Sequence, residues 1–140
     1  MTITNQPELK DRNLTAVIDA WTVFAKLNFL THESREGVSK VRAAGVEPLA
    51  RLLGVARRDT GQSQVIARFL LNLYNGNRFP FDMTDFRRLD HDLFVDCMSV
   101  LQMDYMPAQE VHMYFKRGSE IWERMGTDWG FRDFQGESWR

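Results

Sequence analysis

Apolar residues recur along most of this chain at intervals of three and four, the spacing that lines one face of an α-helix. The first stripe runs Leu14, Val17, Ile18, Trp21, Phe24, Ala25 and Leu27, with Asn13 ahead of it as a cap, and predicts a helix ending near Thr31. The β-branched and aromatic side chains between Val17 and Phe24 keep a strand open as the alternative there. His32 to Gly37 is polar and predicts a break. A second stripe, Val46, Leu49, Leu52, Leu53 and Ala56, predicts a helix over 46–58 with Pro48 in its first turn, where the missing N–H costs nothing. Arg57 and Arg58 then complement the negative end of the helix dipole.

Asp59-Thr60-Gly61-Gln62-Ser63 restarts the chain. Asp59 or Thr60 can cap, and Gln62 stands three residues after Asp59 as in a capping box. Val65, Ile66, Phe69, Leu70, Leu73 and Tyr74 give the third helix a broad apolar face, and Asn75-Gly76 offers a left-handed stop. Phe79-Pro80-Phe81 cannot continue a helix, and two phenylalanines in a loop are expected to plug the core. A fourth helix is predicted from Asp82 or Thr84 to the residue before Pro107, with Phe86, Leu89, Leu93, Phe94, Cys97, Val100 and Leu101 inward. A fifth runs from about Ala108 to Gly126, loosened in its middle by Gly118. No regular period follows.

The pattern predicts an all-α, single-domain bundle of about five helices: a tail over 1–12, a helical domain over 13–126 and an aromatic-rich C-terminal tail over 127–140. At 140 residues the chain is long enough to bury a self-sufficient core. No apolar run is long enough to span a bilayer and the first residues are polar, so a cytoplasmic protein is expected. The one cysteine, Cys97, removes disulfide, Cys-x-x-Cys and zinc-finger chemistry, and its place on the inward stripe predicts a buried thiol.

Formal net charge is -1, but the distribution is uneven. Residues 1–78 carry 11 Lys and Arg against 7 Asp and Glu, residues 79–113 carry 2 against 7, and the remainder balances at 5 against 5. A basic end and an acidic end are thus conceivable, although charge blocks in sequence need not become patches in space.

Taken together, Asp59-Thr60-Gly61-Gln62-Ser63, Ala67-Arg68-Phe69-Leu70-Leu71, Asn75-Gly76, Phe79-Pro80-Phe81-Asp82, Leu89-Asp90-His91-Asp92-Leu93-Phe94, Asp96-Cys97 and Glu110-Val111-His112 resemble a family of small uncharacterised bacterial proteins. The resemblance covers roughly residues 46–129. Such proteins are commonly encoded on plasmids and integrative conjugative elements. The likeness implies a cytosolic accessory protein of mobile DNA, serving maintenance, transfer control or evasion of host defence, and it carries over no catalytic residue.

Three kinds of site are expected. The favoured one is a partner surface, for a protein above all, made of the acidic stretch with Asp85, Asp92 and Asp96 or of the tail aromatics Trp129, Phe131, Phe134 and Trp139. A DNA-binding alternative reads residues 49–74 as a helix-turn-helix pair presenting Arg57, Arg58, Gln62, Gln64 and Arg68. A metal-dependent enzyme would need Asp90, His91, Asp92, Asp96, Glu110 and His112 to converge, yet neighbours such as His91 and Asp92 point about 100° apart on a helix. Asp59 to Ser63 lacks the Gly-Lys signature of a phosphate loop. A non-enzymatic role without cofactor or metal is the expectation.

Overall fold

The computed structural model describes residues 35–136. The helix expected over 13–31, the tail over 1–12 and Trp139 lie outside those residues. Packing divides the chain into two compact units, Met1–Lys40 and Val41–Arg140. Among the described residues every regular element is helical and there is no strand, so the all-α expectation holds. The α-helices are α1 (Arg35–Ala56), α2 (Gly61–Tyr74), α3 (His91–Tyr105) and α4 (Gly118–Trp129), with 3-10 helices at Met83–Arg88 and Val111–Tyr114.

The break expected at Gly37 and the first turn expected at Pro48 both lie within α1. Gly37 does not break it, because a lone glycine costs a helix only about 1 kcal/mol. Pro48 costs about 3 kcal/mol in an interior turn. Leu49, Leu52 and Leu53, at 0%, 0% and 6% exposure, repay that: each buried leucine contributes about 2 kcal/mol.

At α2 the cap is Thr60, whose Oγ1 accepts from the Ser63 amide at 3.0 Å. The Asp59–Gln62 capping box does not form, since the Gln62 amide reaches across to Asp90 instead. Val65, Ile66, Ala67, Phe69, Leu70 and Leu71 are buried. The helix stops without a left-handed residue: Asn75 is extended, and its Oδ1 accepts from the amides of Asn77 and Arg78 at 3.1 Å each. A side chain able to satisfy two amides makes the glycine's freedom unnecessary.

Phe79 plugs the core as expected, at 4% exposure. Phe81 is half-buried; Phe69 meets both Phe81 and Phe86 edge to face, and Phe81 lies tilted against Phe86. The expected fourth helix is in fact two. Asp82 caps the 3-10 turn Met83–Arg88, the chain then extends through Leu89 and Asp90, and α3 begins at His91. Gln62 enforces the interruption by accepting from the Asp90 amide at 2.6 Å and donating to its carboxylate at 3.0 Å. α3 turns Cys97, Val100 and Met103 inward and leaves Phe94 and Leu101, both expected in the core, exposed.

The expected fifth helix also starts late. After the 3-10 turn Val111–Tyr114, Arg117 adopts φ 56, the left-handed region, and α4 runs from Gly118 to Trp129, beyond the expected stop at Gly126. Gly118 loosens nothing: a Cβ there would collide with the His112 carbonyl oxygen. Trp122 centres the core at 0% exposure and donates from Nε1 to the Leu70 carbonyl at 3.0 Å.

Candidate interaction surface

The acidic stretch folds into α3 and the turn before it, and most of its carboxylates are engaged internally. Arg51 forks onto Asp96, Nε to Oδ2 at 3.0 Å and Nη2 to Oδ1 at 2.8 Å, and this pairing raises the arginine's pKa. Asp90 holds Gln62, and Asp85 lies 3.9 Å from Arg88. Asp92 is exposed at the edge of a groove of about 720 Å³ that also carries Arg51 and Arg58. Cation and anion thus share one trough.

The Asp/His cluster does not assemble a metal centre. Among the described residues no three His, Cys, Asp or Glu side chains could hold an ion together. His112 packs edge-on against Tyr74 with ring centroids 4.9 Å apart, and its Nδ1 is buried without a hydrogen bond. Cys97 is fully buried, as expected, and burial pushes its thiol up to about 12, which leaves no thiolate for nucleophilic work.

Two residue sets kept apart in the sequence meet instead. The end of α1 brings Arg57 and Arg58 to a cavity of about 260 Å³ that Arg124, Met125, Asp128 and Trp129 of α4 complete. Trp129 is fixed there by donating from Nε1 to the Ala56 carbonyl at 3.0 Å. Its indole stacks on Phe131, 6° from parallel with centroids 5.9 Å apart. Phe131 in turn lies beneath the Arg68 guanidinium, 4.5 Å from the ring centroid. A second cleft of about 150 Å³ opens there, lined by Arg68, Phe79, Pro80, Phe131, Arg132 and Phe134. Arg132 rests 4.2 Å over the Phe134 ring.

Arg57, Arg58, Arg68 and Arg124 are exposed, and none pairs with a carboxylate among the described residues. Only Asp59 and Asp128 line the same two cavities as anions. Charge not already matched inside the molecule is the charge a partner can use.

The tail that completes this surface is strapped down by Arg78, whose side chain is only 16% exposed. It reaches Glu123 at 2.6 and 2.8 Å and Asp133 at 2.7 and 3.1 Å, while its carbonyl accepts from the Phe134 amide at 3.0 Å. The guanidinium holds both carboxyls below their usual pKa, and the Arg78 pKa rises in return.

Of the predicted partner residues, the structure therefore joins Trp129, Phe131 and Phe134 with Arg57, Arg58 and Arg68 from the DNA-binding alternative. It leaves Gln62 committed to Asp90 and Gln64 half-buried. Arg124, Arg132 and Arg78 were not singled out by sequence. The alternation Trp129, Phe131, Arg132, Phe134 was the visible signal for the second of them.

The described residues thus form an all-helical unit that carries an arginine–aromatic face. The chain belongs to a family of unknown function, DUF7673, whose model matches residues 46–130. No curated protein and no solved structure matches it. The matched span holds Arg57, Arg58, Arg68, Arg124 and Trp129; Phe131, Arg132 and Phe134 follow it.

Proposed function

We propose that this protein acts by binding an anionic macromolecule through the arginine–aromatic face, without catalysing a reaction. The observation that carries the reading is the set Arg57, Arg58, Arg68 and Arg124, exposed and without carboxylate partners among the described residues, beside a pre-stacked Trp129–Phe131 pair. Arginine and tryptophan are side chains on which binding energy concentrates: the indole buries a large area with few rotatable bonds, and the guanidinium offers five donors on one flat group. The acidic stretch supports the same assignment by default, since Asp96, Asp90 and Asp85 are already engaged inside the molecule.

The setting we propose is the cytoplasm of a bacterium, as an accessory protein of a plasmid or conjugative element in maintenance, transfer control or evasion of host defence. The sequence resemblance supports that setting, and no helix among the described residues is long and apolar enough to cross a membrane. Duplex reading by a helix-turn-helix pair is less well supported, because Gln62 at the start of α2 is held by Asp90.

The test is retention on an immobilised polyanion such as heparin. Wild-type protein is expected to elute at a salt concentration well above that of the triple variant Arg57→Gln, Arg58→Gln, Arg124→Gln, while Asp92→Asn leaves elution unchanged. Equal elution of wild type and triple variant, with both folded by circular dichroism, would remove the reading.

A further inference from the structure

Resting on that reading, we infer that the partner of the arginine–aromatic face is single-stranded nucleic acid, its phosphates taken by Arg57, Arg58 and Arg124 and one base taken into the Arg68–Arg132 cleft. The argument begins with the two cavities. One is broad and cationic, with Trp129 at its wall; the other is narrow, with guanidinium groups lying on aromatic rings. The Trp129–Phe131 pair joins them.

A guanidinium resting on a ring keeps its plane and loses little freedom when a further flat group arrives, so Arg68 braced on Phe131 is a prepared surface for a base. Arg132 on Phe134 stands at the same cleft. A base has two π-faces and needs no sequence-specific hydrogen bond to use them, whereas a carboxylate of an acidic peptide has none. A duplex keeps its bases stacked and offers the cleft nothing. The alternation of cationic groups with flat rings is therefore matched by a strand in which phosphates alternate with unstacked bases. Charge agrees: Arg57, Arg58, Arg68 and Arg124, none paired with a carboxylate among the described residues, line the two cavities against Asp59 and Asp128.

The experiment is fluorescence anisotropy on the full chain with four probes: a labelled oligothymidylate of roughly 15 nucleotides, within the reach of one small binding face, an abasic phosphodiester strand of equal length, the matching duplex, and poly-glutamate. Oligothymidylate is expected to bind best, the abasic strand about tenfold or more weaker, in keeping with the stacking of one base. With three phosphates neutralised, log affinity should fall against log salt with a slope of about -2, and Arg124→Gln should reduce that slope by about 0.7.

Arg68→Lys keeps the charge but loses the plane, and it is expected to bring oligothymidylate affinity down to that of the abasic strand. Should base-bearing and abasic strands bind alike, or duplex bind tighter, the inference is wrong although the face remains a polyanion site. Should poly-glutamate outcompete the strand, the partner is an acidic protein and the inference falls alone. If none of the four probes binds, the proposed function falls with it.

Discussion

The stretch 79–113, with α3 at its centre, and the edge where α1 meets α4 carry opposite charge, and by counting alone the acidic stretch is the stronger field. Residues 79–113 hold 7 acidic side chains against 2 basic ones. Folding shifts that balance. Asp96 is closed by Arg51, Asp85 approaches Arg88 and Asp90 holds the neutral Gln62 amide, whereas Arg57, Arg58, Arg68 and Arg124 meet no carboxylate among the described residues. A recognition surface is defined by charge left over after intramolecular pairing, not by charge per stretch of sequence.

The deepest break in that comparison is at Gly118. α4 supplies Arg124 and Trp129 to the face, and it can approach the Val111–Tyr114 turn only because residue 118 has no side chain against the His112 carbonyl. Gly118→Ala is expected to cost about 3 kcal/mol or more, the range of a forced backbone shift in a packed core. Urea unfolding measures it. A variant as stable as wild type would mean that α4 is not seated as described.

Next in size is Arg78, which ties the tail half of the face to α4 through Glu123 and Asp133. Arg78→Ala is expected to cost about 2 kcal/mol; the carboxylates are 46% and 35% exposed, so the loss falls short of that for a fully buried pair. Limited proteolysis after residue 130 should accelerate as the strap opens. The pH dependence follows from the lowered carboxyls: their contribution is full above the ordinary carboxylate range near 4 and is lost as pH falls through the lowered values. In Arg78→Ala this part of the acid sensitivity should disappear.

How much of this was legible beforehand differs element by element. Helix α2 was, because a capped start and a six-residue apolar face are local signals. The inward Cys97 and the plugging Phe79 were too. The split at Leu89-Asp90 was not, since it depends on Gln62 from a distant helix start, and nothing local forbids continuing a helix through Phe86 and Leu93. Gly118 carried a misleading signal: glycine in a periodic stretch reads as looseness, and only the neighbouring carbonyl makes it an obligatory close contact. For the site, the arginines and aromatics were each visible, but their meeting rests on tertiary bonds such as Trp129 to Ala56.

A smaller effect sharpens the contrast at the acidic helix. Asp96→Asn removes the charge that Arg51 grips and should destabilise the fold only slightly, because the arginine of the pair is exposed to solvent. Binding to polyanions should strengthen slightly, if it changes at all, because Arg51 is released beside Arg58. Weakened binding would place α3 in the partner surface and restore the ranking that counting suggests.

The smallest expected change is a gain, at Asp104 near the end of α3. Burial, and then the neighbouring Glu110, raise this carboxyl above its ordinary pKa, so the folded state holds its proton more tightly than the unfolded chain does. Below the ordinary carboxylate range both states are neutral there and nothing is lost; as pH rises through that range towards the raised value, the folded state is progressively penalised. Unlike Glu123 and Asp133, whose ionisation favours the fold, Asp104 works against it at neutral pH. Asp104→Asn should therefore stabilise the protein by something under about 1 kcal/mol at pH 7, a gain that vanishes in acid. Thermal unfolding of both proteins across pH 3 to 8 would read it. A destabilised variant at pH 7 would show that the Asp104 anion has a favourable partner, and that the acidic helix has less charge left unmatched than its burial implies.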